Sequence, residues 1–158
     1  MLCIKATGVP ITRGRRGIWL ARDSTAKGKG AHGPSVVVRR VVADTNGLLL
    51  PFQFRLNLDA ELDRLLGVHE LLVPDQVLAE LRLMGKRSRR ARGALALAQR
   101  LRAVSPEAPS ADDAVIDAAR EFEACVLTND AALLRRLERL RIPRVSLRSR
   151  SRLVLEGA

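Results

Sequence analysis

From Ser35 onward the chain alternates short apolar runs with stretches of helical period, and that alternation sets the expected elements. Positions 36–43 are valine apart from Arg39, Arg40 and Ala43, which predicts a buried strand ending at Asp44. A loop is expected next, then a helix over 58–66 that Asn57 caps and Gly67 stops. A short strand at 71–73 leads through Pro74 to a helix capped by Asp75 and running to Met84. A basic helix is expected over 88–102. Ser110 caps a further helix to about Glu123, with Asp112 and Asp113 in the first turn, where the helix dipole favours acids. The apolar run 125–127 predicts a second buried strand, ending at Thr128, Asn129 and Asp130. A helix to about Arg139 and a strand at 145–147 complete the series. Strand and helix alternate without an internal repeat, so the expected fold is α/β, a central parallel sheet with helices on both faces. In such sheets function collects beyond the carboxyl ends of the strands.

The first 34 residues break the pattern. They carry seven Lys or Arg against one Asp, are rich in Gly, and show no sustained apolar period. We expect a flexible basic extension over 1–34, followed by one folded domain over 35–158. The same composition also suits a transit peptide without a clear amphipathic helix, or a start of translation near Val36 to Val38. In the whole chain hydrophobic residues make up 47% and aromatics only 3%, so the core must be built from Leu, Val, Ile and Ala. No apolar run approaches the roughly 18 residues of a bilayer span, so no membrane partner and a cytoplasmic protein are expected. Cys3 and Cys125 are too few and too far apart for a disulfide framework or zinc site, which fits a reducing compartment.

Asp44 and Asp130 each end an apolar strand and are flanked by Thr and Asn: Thr45 and Asn46 after the first, Thr128 and Asn129 before the second. Strand-end acids of one parallel sheet converge on one edge, and Asp112 and Asp113 open a helix close to it. A lone strand-end Asp is commonly a turn former; two matched ones point to a site. Glu80 falls between Val77 and Met84 on the stripe with Leu81, which predicts an inward carboxylate, costly to bury unless paired or metal-bound. A salt bridge to Arg40 or another arginine is the structural alternative. Four gathered acids with no nearby basic partner call for a divalent cation, and an all-oxygen donor set suits Mg²⁺ or Mn²⁺. Thr45, Asn46, Thr128 and Asn129 are placed to orient the ligands.

These residues carry a family resemblance. The stretch Val41-Val42-Ala43-Asp44-Thr45-Asn46, the run from Val73-Pro74 through Glu80-Leu81, the segment Ala111-Asp112-Asp113-Ala114-Val115-Ile116, and Val126-Leu127-Thr128-Asn129-Asp130 resemble, in order, the four acidic motifs of PIN-domain nucleases. The chain is most similar to an archaeal branch akin to the small-subunit processome ribonuclease, and more distantly to VapC toxins. The resemblance covers about residues 36–155. It implies a three-layer α/β/α fold, metal-dependent cleavage of RNA, and catalytic or metal roles for Asp44, Glu80 and Asp130. The third acid is Asp112 when counted back from Asp130 and Asp113 when placed by Ile116; the reading leans to Asp113. Gly47 departs from the family, where a bulky apolar residue is usual, and is expected to loosen the loop after Asp44.

Net charge is +11, from 28 basic and 17 acidic residues, which favours a polyanionic partner. Arg82, Lys86, Arg87, Arg89, Arg90 and Arg92 fall within eleven positions that hold no acid. They could grip an RNA backbone in a salt-dependent manner. The arginines at 135, 136, 139, 141, 144, 148, 150 and 152 form a second basic zone. With so few aromatics, base stacking is a minor contribution. The leading expectation is an endoribonuclease of ribosomal RNA processing. The alternatives are a VapC-like toxin held by an antitoxin and a non-catalytic RNA-binding assembly factor, with a homodimer expected by analogy only.

Overall fold

The computed structural model describes residues 3–4, 10–13, 19–21 and 37–158. Three short strands, β1 (Cys3–Ile4), β2 (Pro10–Arg13) and β3 (Trp19–Ala21), run antiparallel to one another, where the sequence predicts no element. The expected flexibility of 1–34 otherwise falls on residues outside those described. The last of the three pairs antiparallel with the first two residues of β4 (Val37–Ala43), the strand at the centre of the fold. From Val41 to Ala43 it is fully buried, as a strand covered on both faces must be.

Residues expected to form a loop after Asp44 are instead helix α1 (Thr45–Phe54). Gly47 and Pro51, both weak helix formers, hide it from sequence reasoning. The reason for Gly47 is contact: a Cβ there would lie 2.3 Å from the backbone oxygen of Leu127. Gly47 therefore brings the helix close to the sheet; it does not loosen a loop. Helix α2 (Leu58–Leu66) follows, capped by the Asn57 side chain as predicted. Strand β5 (His69–Pro74) leads into α3 (Asp75–Gly85). Asp75 is not its cap; Pro74 takes that position, and the Asp75 carboxylate accepts from the Ser105 hydroxyl. The predicted basic helix ends early, as α4 (Arg89–Ala98), and Arg102 opens the short strand β6 (Arg102–Val104). Then come α5 (Ala111–Glu121), β7 (Cys125–Leu127), α6 (Ala131–Arg139), β8 (Arg144–Arg148) and an unpredicted hairpin partner, β9 (Arg152–Glu156).

The central sheet has the order β6-β5-β4-β7-β8-β9 and is parallel except for β9. With its helices it forms a three-layer α/β/α arrangement. Its largest fully buried apolar side chains are leucines, among them Leu48, Leu50, Leu62, Leu72, Leu81, Leu127 and Leu133, with alanines completing the contacts of α4 and α5. Two polar arrangements pin this apolar frame. Buried Arg40 pairs with Glu70, its register neighbour across β4 and β5, at 3.3 Å, so Arg40 does not answer Glu80. Glu70 also meets Arg102 at 3.6 Å, and both guanidinium groups lie over the ring of Phe122. At the other margin, Glu61 and Arg64 of α2 grip β9. The Leu153 N–H donates to Glu61 Oε2 at 2.8 Å, and Arg64 donates to the Leu153 carbonyl at 2.8 Å.

Candidate active site

The parallel register brings the carboxyl ends of β4 and β7 side by side, since Ala43 pairs with Leu127. Strand β4 hands over directly, and β7 after Thr128 and Asn129, to a helix whose cap is the acid of interest. Asp44 caps α1, with its Oδ2 accepting from the Asn46 N–H at 3.3 Å. Asp130 caps α6, with its Oδ1 accepting from Ala132 at 2.8 Å and Leu133 at 2.9 Å. A β-strand followed at once by an Asp-capped helix thus fixes two carboxylates at neighbouring strand ends.

Asp44 is buried, 3% exposed, and the fold ties it down from both sides. Its N–H donates to the Leu127 carbonyl at 3.0 Å, and the buried Thr128 hydroxyl donates to Asp44 Oδ2 at 2.8 Å. Thr128 also accepts from the Asp130 N–H at 3.1 Å, so one hydroxyl links the two acids. Burial raises the Asp44 carboxyl above its ordinary range; the bonds from Thr128, Thr45 and Asn46 oppose the shift, and the charge of Asp112 adds to it.

Glu80 reaches the same corner by a route the sequence reasoning got partly wrong. The inward stripe of α3 is Val77, Leu78, Leu81 and Gly85; Glu80 and Met84 stand at its margin and are exposed. Its carboxylate is not a buried charge. It nevertheless meets α1, because the Thr45 hydroxyl, one residue after Asp44, donates to Glu80 Oε2 at 2.5 Å.

The adjacent acids of α5 part company. Asp112 is half-buried, and its carboxyl is raised by burial first, then by the charges of Asp130, Glu80 and Asp113, with Arg136 opposing. Asp113 is lowered by Arg136, which donates to its Oδ1 at 2.5 Å, and by the Ser110 hydroxyl at 2.6 Å. Asp112, rather than the favoured Asp113, is thus the acid of α5 on which the charges of Asp130 and Glu80 act and which bears on Asp44. Ser110 and Asp113 bond to each other at the start of α5: the Asp113 N–H donates to the Ser110 hydroxyl oxygen, and that hydroxyl donates to the Asp113 carboxylate. That signal was legible and assigns Asp113 a local task. Arg136 was missed, and the expected lack of a basic neighbour is overturned: its second Nη lies 3.8 Å from Asp112 Oδ2.

Three of these acids commit one oxygen to the fold: Asp44 Oδ2, Glu80 Oε2 and Asp130 Oδ1. The second oxygens of Glu80 and Asp130 carry no bond among the described residues. Such an all-carboxylate set, raised by its own repulsion at Asp112, has the donor chemistry of a hard divalent cation. As placed, no group of three or more His, Cys, Asp or Glu side chains among the described residues is gathered closely enough to hold a metal ion. Of the four expected orienting residues, the two threonines bond to acids through their side chains. Asn46 contributes its backbone N–H, and Asn129 is exposed without a side-chain bond among the described residues. The basic residues Arg82, Lys86, Arg87, Arg89, Arg90 and Arg92 are all exposed where α3 turns into α4. One Nη of Arg92 donates to the Gly85 carbonyl at 2.9 Å and closes α3.

Comparison with known proteins agrees with this frame. A family model described as a PIN-like domain matches residues 41–150. A solved structure of the PIN domain endonuclease Utp24 superposes with a TM-score of 0.62 at 26% identity, covering 75% of this chain and 92% of that one. No curated protein matches the chain. Four acids, on two helices and at two strand ends, fall within the span of the family model, and the match over residues 41–150 makes one assignment: the chain belongs to the PIN-like domain family.

Proposed function

We propose that this chain is a metal-dependent endoribonuclease that hydrolyses RNA phosphodiester bonds in ribosomal RNA processing. The observation that supports the reading is that acids from four separate parts of the chain act on one another at one sheet edge: Asp112 bears on Asp44, Asp130 and Glu80 bear on Asp112, and Glu80 bonds to the residue after Asp44. Similarity to a PIN domain endonuclease supports the reaction class. Asp44, Glu80, Asp112 and Asp130 would hold Mg²⁺ or Mn²⁺; Asp113 bonds to Arg136 and Ser110 and supports α5. A divalent ion bound there would neutralise the acids and polarise a phosphate oxygen. Thr128 and Thr45 keep their protons on Asp44 Oδ2 and Glu80 Oε2, which fixes the direction of the other oxygen of each carboxylate. In the reaction water forms the new bond to phosphorus, the bond to the 3′ oxygen breaks, and that oxygen takes a proton. The products are a 5′ phosphate and a 3′ hydroxyl. The exposed basic residues from Arg82 to Arg92 would hold the flanking backbone.

One observation favours a second reading, an RNA-binding assembly factor without catalysis: Arg136 already offsets part of the acidic charge at Asp112. A single experiment separates the two. Purified protein is incubated with labelled RNA and Mn²⁺ or Mg²⁺, beside Asp44→Asn and an EDTA control. Metal-dependent cleavage by the wild type alone supports the nuclease. Cleavage that survives in Asp44→Asn or in EDTA removes the metal mechanism, and binding without cleavage selects the second reading.

A further inference from the structure

Strand direction sorts the eight C-terminal arginines. The strand β8 runs parallel to β4 and β7, so Arg144 lies at the amino edge of the sheet, where it pairs with Glu138 and Glu156. Arg139 and Arg141, at the end of α6, share that amino edge. Arg136 is engaged by Asp112 and Asp113. Arg135 is exposed midway along α6. Arg148, Arg150 and Arg152 remain, and they stand at the carboxyl edge, the edge that carries the acids.

These three sit on the turn joining β8 to β9, and all are exposed. Pairing with β7 stops at Val145, and β8 continues three residues further, which lifts the turn roughly 10 Å above the edge. Its backbone is held in a form that side chains disfavour, with φ of 55° at Ser149 and 62° at Arg150. Arg55, which closes α1, is also left-handed, at 54°. Between α1 and the turn lies a cleft of about 250 Å³ whose lining includes Arg55, Asn57, Glu61 and Ser151. Glu61 is the one acid there, and Arg64 and the Leu153 N–H already hold its carboxylate. Arg55, Arg148 and Arg150 form no ion pair among the described residues. Because α1 starts at Asp44 and ends beside this cleft, its ten residues separate the cleft from the acids by about 15 Å.

We propose that the β8–β9 turn and the cleft beside Arg55 are a second RNA-backbone site, which grips phosphates one helix length from the acidic centre. The inference rests on the ribonuclease reading and extends it. The cleft offers charge and small polar groups, with Phe54 its sole aromatic, so it holds the backbone and leaves the bases unread.

The test is anisotropy of a fluorescein-labelled oligouridylate with the full chain, in EDTA so that no cleavage intrudes, across a salt series. Three proteins are compared: wild type, Arg148→Glu with Arg150→Glu, and Arg139→Glu with Arg141→Glu. Both doubles change net charge equally, at opposite edges. The turn double is expected to bind at least about tenfold more weakly, with the salt slope reduced by about 2, while the amino-edge double stays near wild type. Equal losses in both doubles, no loss in the turn double, or no binding by the wild type would overturn the proposal. If the turn double melts early, Arg148→Gln with Arg150→Gln replaces it under the same criteria. Cleavage by wild type in Mn²⁺ is scored separately. A protein that binds through the turn without cleaving refutes the nuclease reading alone, and one that cleaves but binds independently of the turn refutes this inference alone.

Discussion

Gly47 offers a test in which two physical effects have opposite signs. In an exposed helix, Gly→Ala stabilises by about 1 kcal/mol, because Ala restricts the unfolded chain and has the better helix propensity. At position 47 the added Cβ would stand 2.3 Å from the Leu127 oxygen, 2.8 Å from Leu127 Cγ and 2.9 Å from its carbonyl carbon. A comfortable separation is roughly 3.5 Å, so α1 must retreat by about 1 Å. The obstacle is central-strand backbone, and the same Leu127 oxygen accepts the Asp44 N–H, so it cannot swing aside. Overpacking against such an obstacle costs about 3 kcal/mol, the upper part of the usual range. The net loss is then about 2 kcal/mol, or a fall in Tm of about 4–8 °C for a domain of this size. Retreat of α1 also carries Asp44 and Thr45 away from Thr128 and Glu80. Misplacement of about 1 Å can lower turnover on the order of a hundredfold. Thermal denaturation by circular dichroism and cleavage of labelled RNA well below Tm measure the two effects. A Gly47→Ala protein with an unchanged or higher Tm would show that propensity governs this position, and the close approach of α1 to β7 would be refuted.

Further outcomes follow from the same geometry. Asp112→Asn should abolish metal-dependent cleavage, whereas Asp113→Asn should keep it and lose a little stability as Arg136 and Ser110 lose their acceptor; the opposite pattern would return the third role to Asp113. Thr128→Val removes the shortest hydrogen bond to the buried Asp44 carboxylate, at about 1–3 kcal/mol. It should also weaken metal-dependent activity about 10–100-fold, read from a metal titration of the cleavage rate. Because burial raises the Asp44 carboxyl, metal-free stability that is present below the ordinary carboxylate range is lost as pH rises through the folded-state value. Asp44→Asn should therefore melt higher than wild type at neutral pH and converge with it in acid; a pH-independent difference in Tm would contradict this. Glu61 works in the other sense. Arg64 and the Leu153 N–H lower its carboxyl to about 2, so its contribution is present above its ordinary value of 4.5 and fades as pH falls towards about 2. Glu61→Gln should flatten the acid limb of the Tm profile, and an unaltered limb would show that this carboxylate does not steady β9.

Elements whose signals were local and mutually consistent were legible in the sequence. The strands β4 and β7 announce themselves as apolar runs leading to Asp, and α2 and α5 by their caps. The misses have physical causes. Gly47 and Pro51 mark a breaker-rich loop by propensity, yet tertiary contact with Leu127 overrides them and α1 forms. Both β6 and β9 are short outer strands, the first opening and the second both opening and closing on a charged residue, and neither shows the apolar run of an interior strand. At the site, the convergence of Asp44 and Asp130 could be read from strand direction alone. Glu80 was set in the right neighbourhood by an argument from burial that the exposed side chain contradicts. Arg136 lies 23 residues from Asp113, and no local pattern could have linked them.

The grip of α2 on β9 reaches beyond local stability. A terminal strand normally displays unmatched amide and carbonyl groups, an invitation to any extended peptide. Here a carboxylate and a guanidinium from one helix answer both backbone groups of Leu153, which imitates a neighbouring strand. At Leu153 the outward backbone pair of this border is thereby matched from within the chain. A peptide seeking to extend the sheet there would first have to displace the α2 side chains from Leu153.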